Sequence, residues 1–276
     1  MKVRYLPDPV HFCTMTTEEI RASFLIESLF TPDSIEIVYS EADRAIVGSA
    51  VPVNQTLGLT SADELRAEYF CQRRELGVLN IGQPGTITVD GQKYKMANLD
   101  CLYIGRGSKE ILFASDDSAN PAQFYLLSYP AHKEYPVSHI QLKQASPVHL
   151  GSMEESNKRT IYKCIHSEGV KSCQLVMGFT VLESGCVWNT MPAHTHERRT
   201  EVYMYFNMPE KARVFHFTGK AGETRHIAVA NRQAVISPSW SIHSGVGTSA
   251  YTFCWGMGGE NQDFDDIDHL IVEDIR

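Results

Sequence analysis

His194-Thr195-His196-Glu197-Arg198-Arg199-Thr200-Glu201 sets two histidines at i and i+2 and a carboxylate five residues after the second. Side chains alternate faces along a β-strand, so His194 and His196 point the same way. Glu201 reaches the same point once the chain rounds the intervening turn. His243 follows later as Pro238-x4-His243, in a second strand context. Three imidazoles and a carboxylate form the mixed N/O donor set of a divalent first-row metal. The set suits zinc, and Fe(II), Mn, Co or Ni share it. An isolated HxH is a weak signal; the pair with Glu201 and His243 is a much stronger one.

Working outward, Glu201 begins an alternating strand. Glu201, Tyr203 and Tyr205 share one face, and Val202, Met204 and Phe206 share the other. The carboxylate and two phenols are expected to point into a cavity, with the aliphatic face packed outward. A carboxylate among apolar neighbours is costly without a partner, and a metal removes that cost. Glu201 and Tyr203 are the candidate catalytic groups. Arg198 and Arg199 lie in the ligand turn, and Arg159 in Asn157-Lys158-Arg159-Thr160. A guanidinium fork holds a carboxylate in bidentate fashion. Thr190, Gln174 and Tyr203 are candidate hydroxyl or amide contacts. His166, His216 and His226 read as structural or surface residues. His11, His132, His139, His149 and His269 sit in turn-like or terminal contexts and are assigned nothing, and Cys186 is set aside as a ligand.

The rest of the chain reads as many short strands with turn signals, the pattern of a sandwich or barrel. Thr16-Thr17-Glu18-Glu19 caps an amphipathic helix expected to run to about Phe30. Asp90-Gly91 marks a hairpin between Thr86–Val89 and Gln92–Met96. Residues 131–152, rich in proline, are expected to connect an N-terminal half, 1–130, to a C-terminal half, 153–276. The halves resemble each other. Arg73-Arg74-Glu75 echoes Arg198-Arg199-Thr200-Glu201, and Asn98 to Gly105 has the spacing of Asn231 to Pro238. Tyr69 and Cys71 then stand where the second half has His194 and His196. Metal is expected in the second half alone. Because the arginine pair recurs, the carboxylate clamp shifts toward Arg159, with Arg199 the other candidate. The acidic run Glu260, Asp263, Asp265, Asp266 and Asp268 reads as a solvated loop.

The formal net charge of −8 argues against nucleic acid as a partner, since phosphate binding needs basic patches. It leaves room for a small anionic ligand, which needs one or two local cations. No apolar run has the length of a membrane span, and the N-terminus lacks the apolar core of a signal peptide. Seven scattered cysteines without a CxxC pair fit a reduced, cytoplasmic protein.

The histidine–glutamate set, with Gly185 upstream and Pro238-x4-His243 later, resembles the two motifs of the cupin superfamily. Trp240 departs from it, because glycine often stands three residues before the second motif's histidine. A closer resemblance covers nearly the whole chain. Arg73-Arg74-Glu75-Leu76-Gly77, Tyr103-Ile104-Gly105-Arg106-Gly107, Ser156-Asn157-Lys158-Arg159-Thr160-Ile161, Val187-Trp188-Asn189-Thr190-Met191-Pro192 and Trp255-Gly256-Met257-Gly258-Gly259-Glu260-Asn261 are similar to the 4-deoxy-L-threo-5-hexosulose-uronate ketol-isomerase family. That resemblance implies a mainly β, bicupin fold of two related antiparallel jelly-roll barrels with a few short helices. It implies one zinc per subunit at His194, His196, Glu201 and His243, a homohexamer, and an aldose–ketose isomerisation in pectin breakdown. The alternatives are a 5-deoxy-glucuronate isomerase of inositol breakdown, a non-catalytic sugar- or metal-binding cupin, and a metal dioxygenase.

Overall fold

A computed structural model of the chain describes residues 1–263 and 266–276, so Asp265 of the acidic run lies outside the described residues. Strands dominate, and the few helices are short. Contacts divide the chain into two compact units. One holds residues 1–4, 28–146 and 164–176; the other holds 5–27, 147–163 and 177–276.

The first unit is built on a seven-stranded sheet, ordered Lys2–Arg4, Ile35–Ser40, Ile46–Ala50, Phe124–Pro130, Arg74–Asn80, Cys101–Ile104 and Ser138–Ile140. Its four-stranded sheet runs Leu57–Gly58, Ile111–Ser115, Gly85–Val89 and Gln92–Met96. The second seven-stranded sheet runs Ser146–Leu150, Arg159–Ile165, Val176–Leu182, Thr252–Gly259, Arg199–Phe206, Gln233–Ser237 and Leu25–Ile26. Its four-stranded companion runs Trp188–Asn189, Ser244–Gly247, Val214–Lys220 and Glu223–Val229. The central five strands of both large sheets follow one succession in chain order: first, second, fifth, third, fourth. Both small sheets run first, fourth, second, third. The related strand orders that an internal repeat requires are therefore present.

Three local expectations need correction. The helix begins where its capping box places it, with Thr16 Oγ1 accepting from Glu19 N, but it ends at Phe24. Leu25 and Ile26 are extended instead, pairing with Val235 and Ala234. The proline-rich segment is not a bare connection. It contributes the strands Ser138–Ile140 and Ser146–Leu150, each at a sheet edge, where a missing N–H costs no ladder bond. The face carrying Val202, Met204 and Phe206 is not outward: all eight residues of Arg199–Phe206 are buried between flanking strands. The Asp90-Gly91 hairpin is as read, with both residues at positive φ.

Register shows what fills the first unit. Glu201 lies opposite Ser237, and Leu76 lies opposite Ile104. The equal spacings make Ile104 the counterpart of Ser237, and Leu76 the counterpart of Glu201. Cys71 and Tyr69 then precede Leu76 by the same intervals as His196 and His194 precede Glu201. Leu76 and Cys71 are buried in a hydrocarbon cluster with Phe70, Val78, Ile87 and Phe113. At the positions of Glu201 and His196 the first unit therefore carries apolar side chains, Leu76 and Cys71.

Glu75 sits on the opposite face from Leu76 and is fully buried. Its carboxylate accepts from the backbone N–H groups of Cys173, Gln174 and Leu175 at 2.7, 2.7 and 2.8 Å, and from Tyr103 Oη at 2.8 Å. It fastens residues 164–176 into the first unit. Glu75→Leu, which orphans these donors together, is expected to cost about 3 kcal/mol or more in urea unfolding, whereas Tyr103→Phe costs about 1 kcal/mol. Equal midpoints for wild type and Glu75→Leu would show that the segment is held by other means.

Candidate metal centre and its cavity

Each donor is positioned by a different piece of the second unit. His194 lies in a two-residue strand and pairs with His269 of Asp268–His269. His196 follows in the turn, Glu201 sits inside the large sheet, and His243 immediately precedes Ser244–Gly247 of the small sheet. Their donor atoms all lie within 4.8 Å of one another. His243 Nε2 is 2.9 Å from His194 Nε2 and 2.8 Å from Glu201 Oε2. His196 Nε2 is 3.2 Å from His194 Nε2 and 3.1 Å from Glu201 Oε2.

The four residues fit a metal. Ligand bonds of about 2.1 Å give donor–donor edges of about 3.4 Å in a tetrahedron and about 3.0 Å in an octahedron. The observed 2.8–3.2 Å edges fall at that scale. His196 is also in the right tautomer. Its Nδ1 is 2.7 Å from the carbonyl of Asp266 and 3.0 Å from Arg199 Nη2; the shorter contact, to a group that can only accept, favours the hydrogen on Nδ1 and the lone pair on Nε2. Arg199 Nη2 donates to the same carbonyl at 2.8 Å.

The electrostatics converge on the same point. Burial and then His243 push the His194 pKa down to about 2, so this imidazole is neutral at ordinary pH. Burial alone would raise the Glu201 carboxyl, but His243 and His196 hold it well below the usual carboxylate range. The His196 pKa is raised despite burial, because Glu201 lies at hydrogen-bond distance. An ionised carboxylate thus draws positive charge to the centre of the cluster. Behind it, burial and then His243 bring His216 down to about 3. The His216 ring nitrogens contact Tyr205 Oη at 2.8 Å and Ser237 Oγ at 3.3 Å.

A cavity of ≈ 420 Å³ opens onto His194, His196 and Glu201. Arg159, Thr190 and Tyr203 line it, as do the hydrophobic residues Ile161, Phe253 and Trp255. Tyr203 Oη is 2.9 Å from Thr190 Oγ1. Burial, then the charge of Glu201, raises the Tyr203 pKa well above 10, so it is a neutral phenol. The indole of Trp255 lies against Gly178, where an added Cβ would stand 2.4 Å from the ring, and its Nε1 donates to Thr180 Oγ1.

The family model of the KduI/IolB family matches residues 25–272. The chain belongs to the KduI/IolB family. Proteins named 4-deoxy-L-threo-5-hexosulose-uronate ketol-isomerase are 57% identical in Lachnoclostridium phytofermentans and 55% identical in Caldicellulosiruptor bescii, over 276 residues and the whole of both chains. Among solved structures, an IolB-like protein from Salmonella typhimurium aligns with TM-score 0.73 at 13% identity, covering 90% of this chain and 96% of that one. An oxalate decarboxylase variant from Bacillus subtilis aligns with TM-score 0.61 at 11% identity, covering 90% and 79%. At those identities the likeness is one of fold: mainly β and cupin-like.

In this KduI/IolB family member, the four candidate donors lie together, and Tyr203, Thr190 and Arg159 line the cavity they face. Two residues do not. Arg199 is absent from the cavity lining and stands behind His196, its guanidinium turned to Asp266. Gln174 belongs to the first unit, where its backbone N–H donates to Glu75. Three residues were missed. Trp255 and His269 line the cavity, and Asp266, read as part of a solvated loop, holds His196 through its carbonyl. A main-chain acceptor leaves no mark in side-chain patterns, and His269 is recruited by pairing with His194.

Glu201→Gln and His243→Ala are each expected to weaken divalent-metal binding at least about 100-fold, read as metal content after dialysis. Full retention in His243→Ala would remove it from the donor set. His216 makes an acid-side prediction. Its folded pKa of about 3 lies below the unfolded value, so it contributes stability above pH ~6.5 that is lost as pH falls toward 3. Between pH 6 and 5, wild type should lose about 1 kcal/mol more than His216→Asn in urea unfolding. Parallel losses would place the acid sensitivity elsewhere.

Proposed function

We propose that the chain is an aldose–ketose isomerase converting 4-deoxy-L-threo-5-hexosulose uronate to 3-deoxy-D-glycero-2,5-hexodiulosonate in pectin and unsaturated-uronate breakdown. The observation that carries this is full-length likeness to proteins of that name, together with one cavity holding a four-donor cluster, a buried phenol and a guanidinium. The matching strand orders support reading the fold as two related cupin barrels, one serving the site and one filled.

The reaction makes the C1 aldehyde an alcohol and the C2 alcohol a ketone. The C2 proton leaves its electron pair behind as a C1=C2 enediol, and a proton returns at C1 while the hydroxyl proton passes from O2 to O1. Zinc, or another divalent first-row metal, held by His194, His196, Glu201 and His243 would supply Lewis acidity toward the substrate oxygens. Arg159 is the one arginine or lysine lining the cavity among the described residues, and it holds the uronate carboxylate. Tyr203, kept protonated, donates to a substrate oxygen and exchanges its proton through Thr190. Glu201 is engaged by two imidazoles, which suits it to holding charge rather than acting as the base. Imidazole is the usual proton carrier near neutrality, and His269 is the imidazole lining the cavity outside the cluster among the described residues. It is assigned the proton transfer between C2 and C1. Trp255, Phe253 and Ile161 keep water from the enediol.

Metal-loaded protein incubated anaerobically with the ketouronate should form the 2,5-diketo acid by NMR, faster than it turns over 5-deoxy-glucuronate. No product, or product only with oxygen, would defeat the proposal. Arg159→Met should raise KM about 10- to 100-fold with a smaller effect on kcat. Tyr203→Phe and His269→Ala should each lower kcat about 100-fold; an unchanged kcat removes that residue from proton transfer.

A further inference from the structure

The first unit has a second cavity, of ≈ 220 Å³, that the isomerisation does not use. Three guanidinium groups line it, those of Arg44, Arg73 and Arg74, beside Tyr39 and a single carboxylate, Glu64. The Glu64 carboxylate already has a partner, the Met1 ammonium 3.3 Å away. Among the described residues no ion pair joins any of the three arginines to a carboxylate. In a chain of net charge −8 such a local excess of positive charge is out of keeping with the average surface.

Arg74 makes the case specific. It is 6% exposed. Its Nε donates to Ser128 Oγ at 3.1 Å, and its Nη2 donates to the carbonyls of Ser128, at 2.9 Å, and Arg44. These neutral acceptors orient the guanidinium without neutralising it. Nη1 has no acceptor among the described residues, and the Tyr39 ring centroid lies 5.9 Å from Cζ. Burial pulls the pKa down to about 10, which leaves Arg74 charged at neutral pH. The repeat sharpens the contrast. Two residues before Leu76, Arg74 is the counterpart of Arg199, two residues before Glu201. Arg199 has the Asp266 carboxylate 3.9 Å away; Arg74 has a cavity and two more arginines. A buried guanidinium without a counter-ion is costly, and an oxyanion that meets its fork removes that cost.

We propose that this cavity binds the oxyanion of a small molecule, a carboxylate or a phosphate, on Arg74 Nη1 and the side chains of Arg44 and Arg73. The site is independent of the metal centre and of the uronate clamp at Arg159.

Isothermal titration of the full-length, metal-loaded protein with inorganic phosphate, and separately with D-galacturonate, tests this. The same titrations on Arg159→Met keep the substrate cavity from answering. Saturable binding at about 1 mM or tighter is expected, unchanged by Arg159→Met and weakened at least about tenfold by Arg44→Gln/Arg73→Gln. Both of those side chains are exposed. Arg74 is left intact because it bonds Ser128 of the adjoining strand. Saturation by phosphate alone assigns the site to phosphate; saturation by galacturonate alone assigns it to organic acids. No saturation by either anion up to about 20 mM, or affinity untouched by the double substitution, overturns the proposal. Should the double variant fail to fold, Arg44→Gln alone carries the same test, with any unaltered affinity counting against the site.

Discussion

Glu201 Oε2, inside the large sheet, meets at 2.8 Å the Nε2 of His243, which stands just ahead of the small-sheet strand Ser244–Gly247 of the same unit. Everything at the site depends on this contact. A buried carboxylate is tolerated only beside positive charge or donors, and the imidazoles ahead of the small sheet, in the ligand turn and on the short His194 strand supply lone pairs that only a cation can share. The strand pairs on both sides of Arg199–Phe206 hold Glu201 in place. The carbonyl of Asp266 favours one tautomer of His196. The cavity then opens on the free side of the cluster, with Arg159, Tyr203 and Trp255 set around it.

The two units make the same constraint visible by contrast. Their strand successions agree, yet the position of Glu201 is Leu76 in the first unit and that of His196 is Cys71. Removing one carboxylate removes the reason for the imidazoles, and hydrocarbon fills the space. Burying apolar area is favourable without any partner, so the first unit can be a packed core where the second must stay partly polar. The neighbouring arginines diverge in step. Arg199 finds Asp266 behind His196, while Arg74 faces open space.

Much of this was legible in the residues. Period-2 alternation put Glu201 and Tyr203 on one face, and the HxH spacing brought His194 and His196 together; the structure gathers all four donors. The Asp90-Gly91 hairpin and the Thr16–Glu19 capping box were equally local, and equally clear. What failed was long-range. Nothing near Leu25 announces a partner at Val235, so helix periodicity carried the reading too far. Gln174 looked available as an amide until Glu75, from a distant strand, claimed its backbone. Arg199 sits between two ligands in the chain, yet its guanidinium turns away from the cavity, a direction set by Asp266 from far along the sequence. His269 had no motif of its own, because its place comes from strand pairing.

The exchange of segments between the units bears on how the protein is made. Residues 164–176 complete the first unit by meeting Glu75, and Leu25 completes the second by pairing with Val235. A chain emerging at about 5–20 residues per second therefore exposes Leu25 and Ile26 for about ten seconds or more before their partners exist. Neither unit is one continuous run of chain, and the second is complete only when the last strands have been made. The N-terminal apolar residues must wait in solution, and contacts of such sequence separation are slow to form. Association of these waiting segments with a neighbouring chain is the natural failure of this architecture during synthesis, because the eight-residue helix ahead of Leu25 is too short to hold its own fold before those partners arrive.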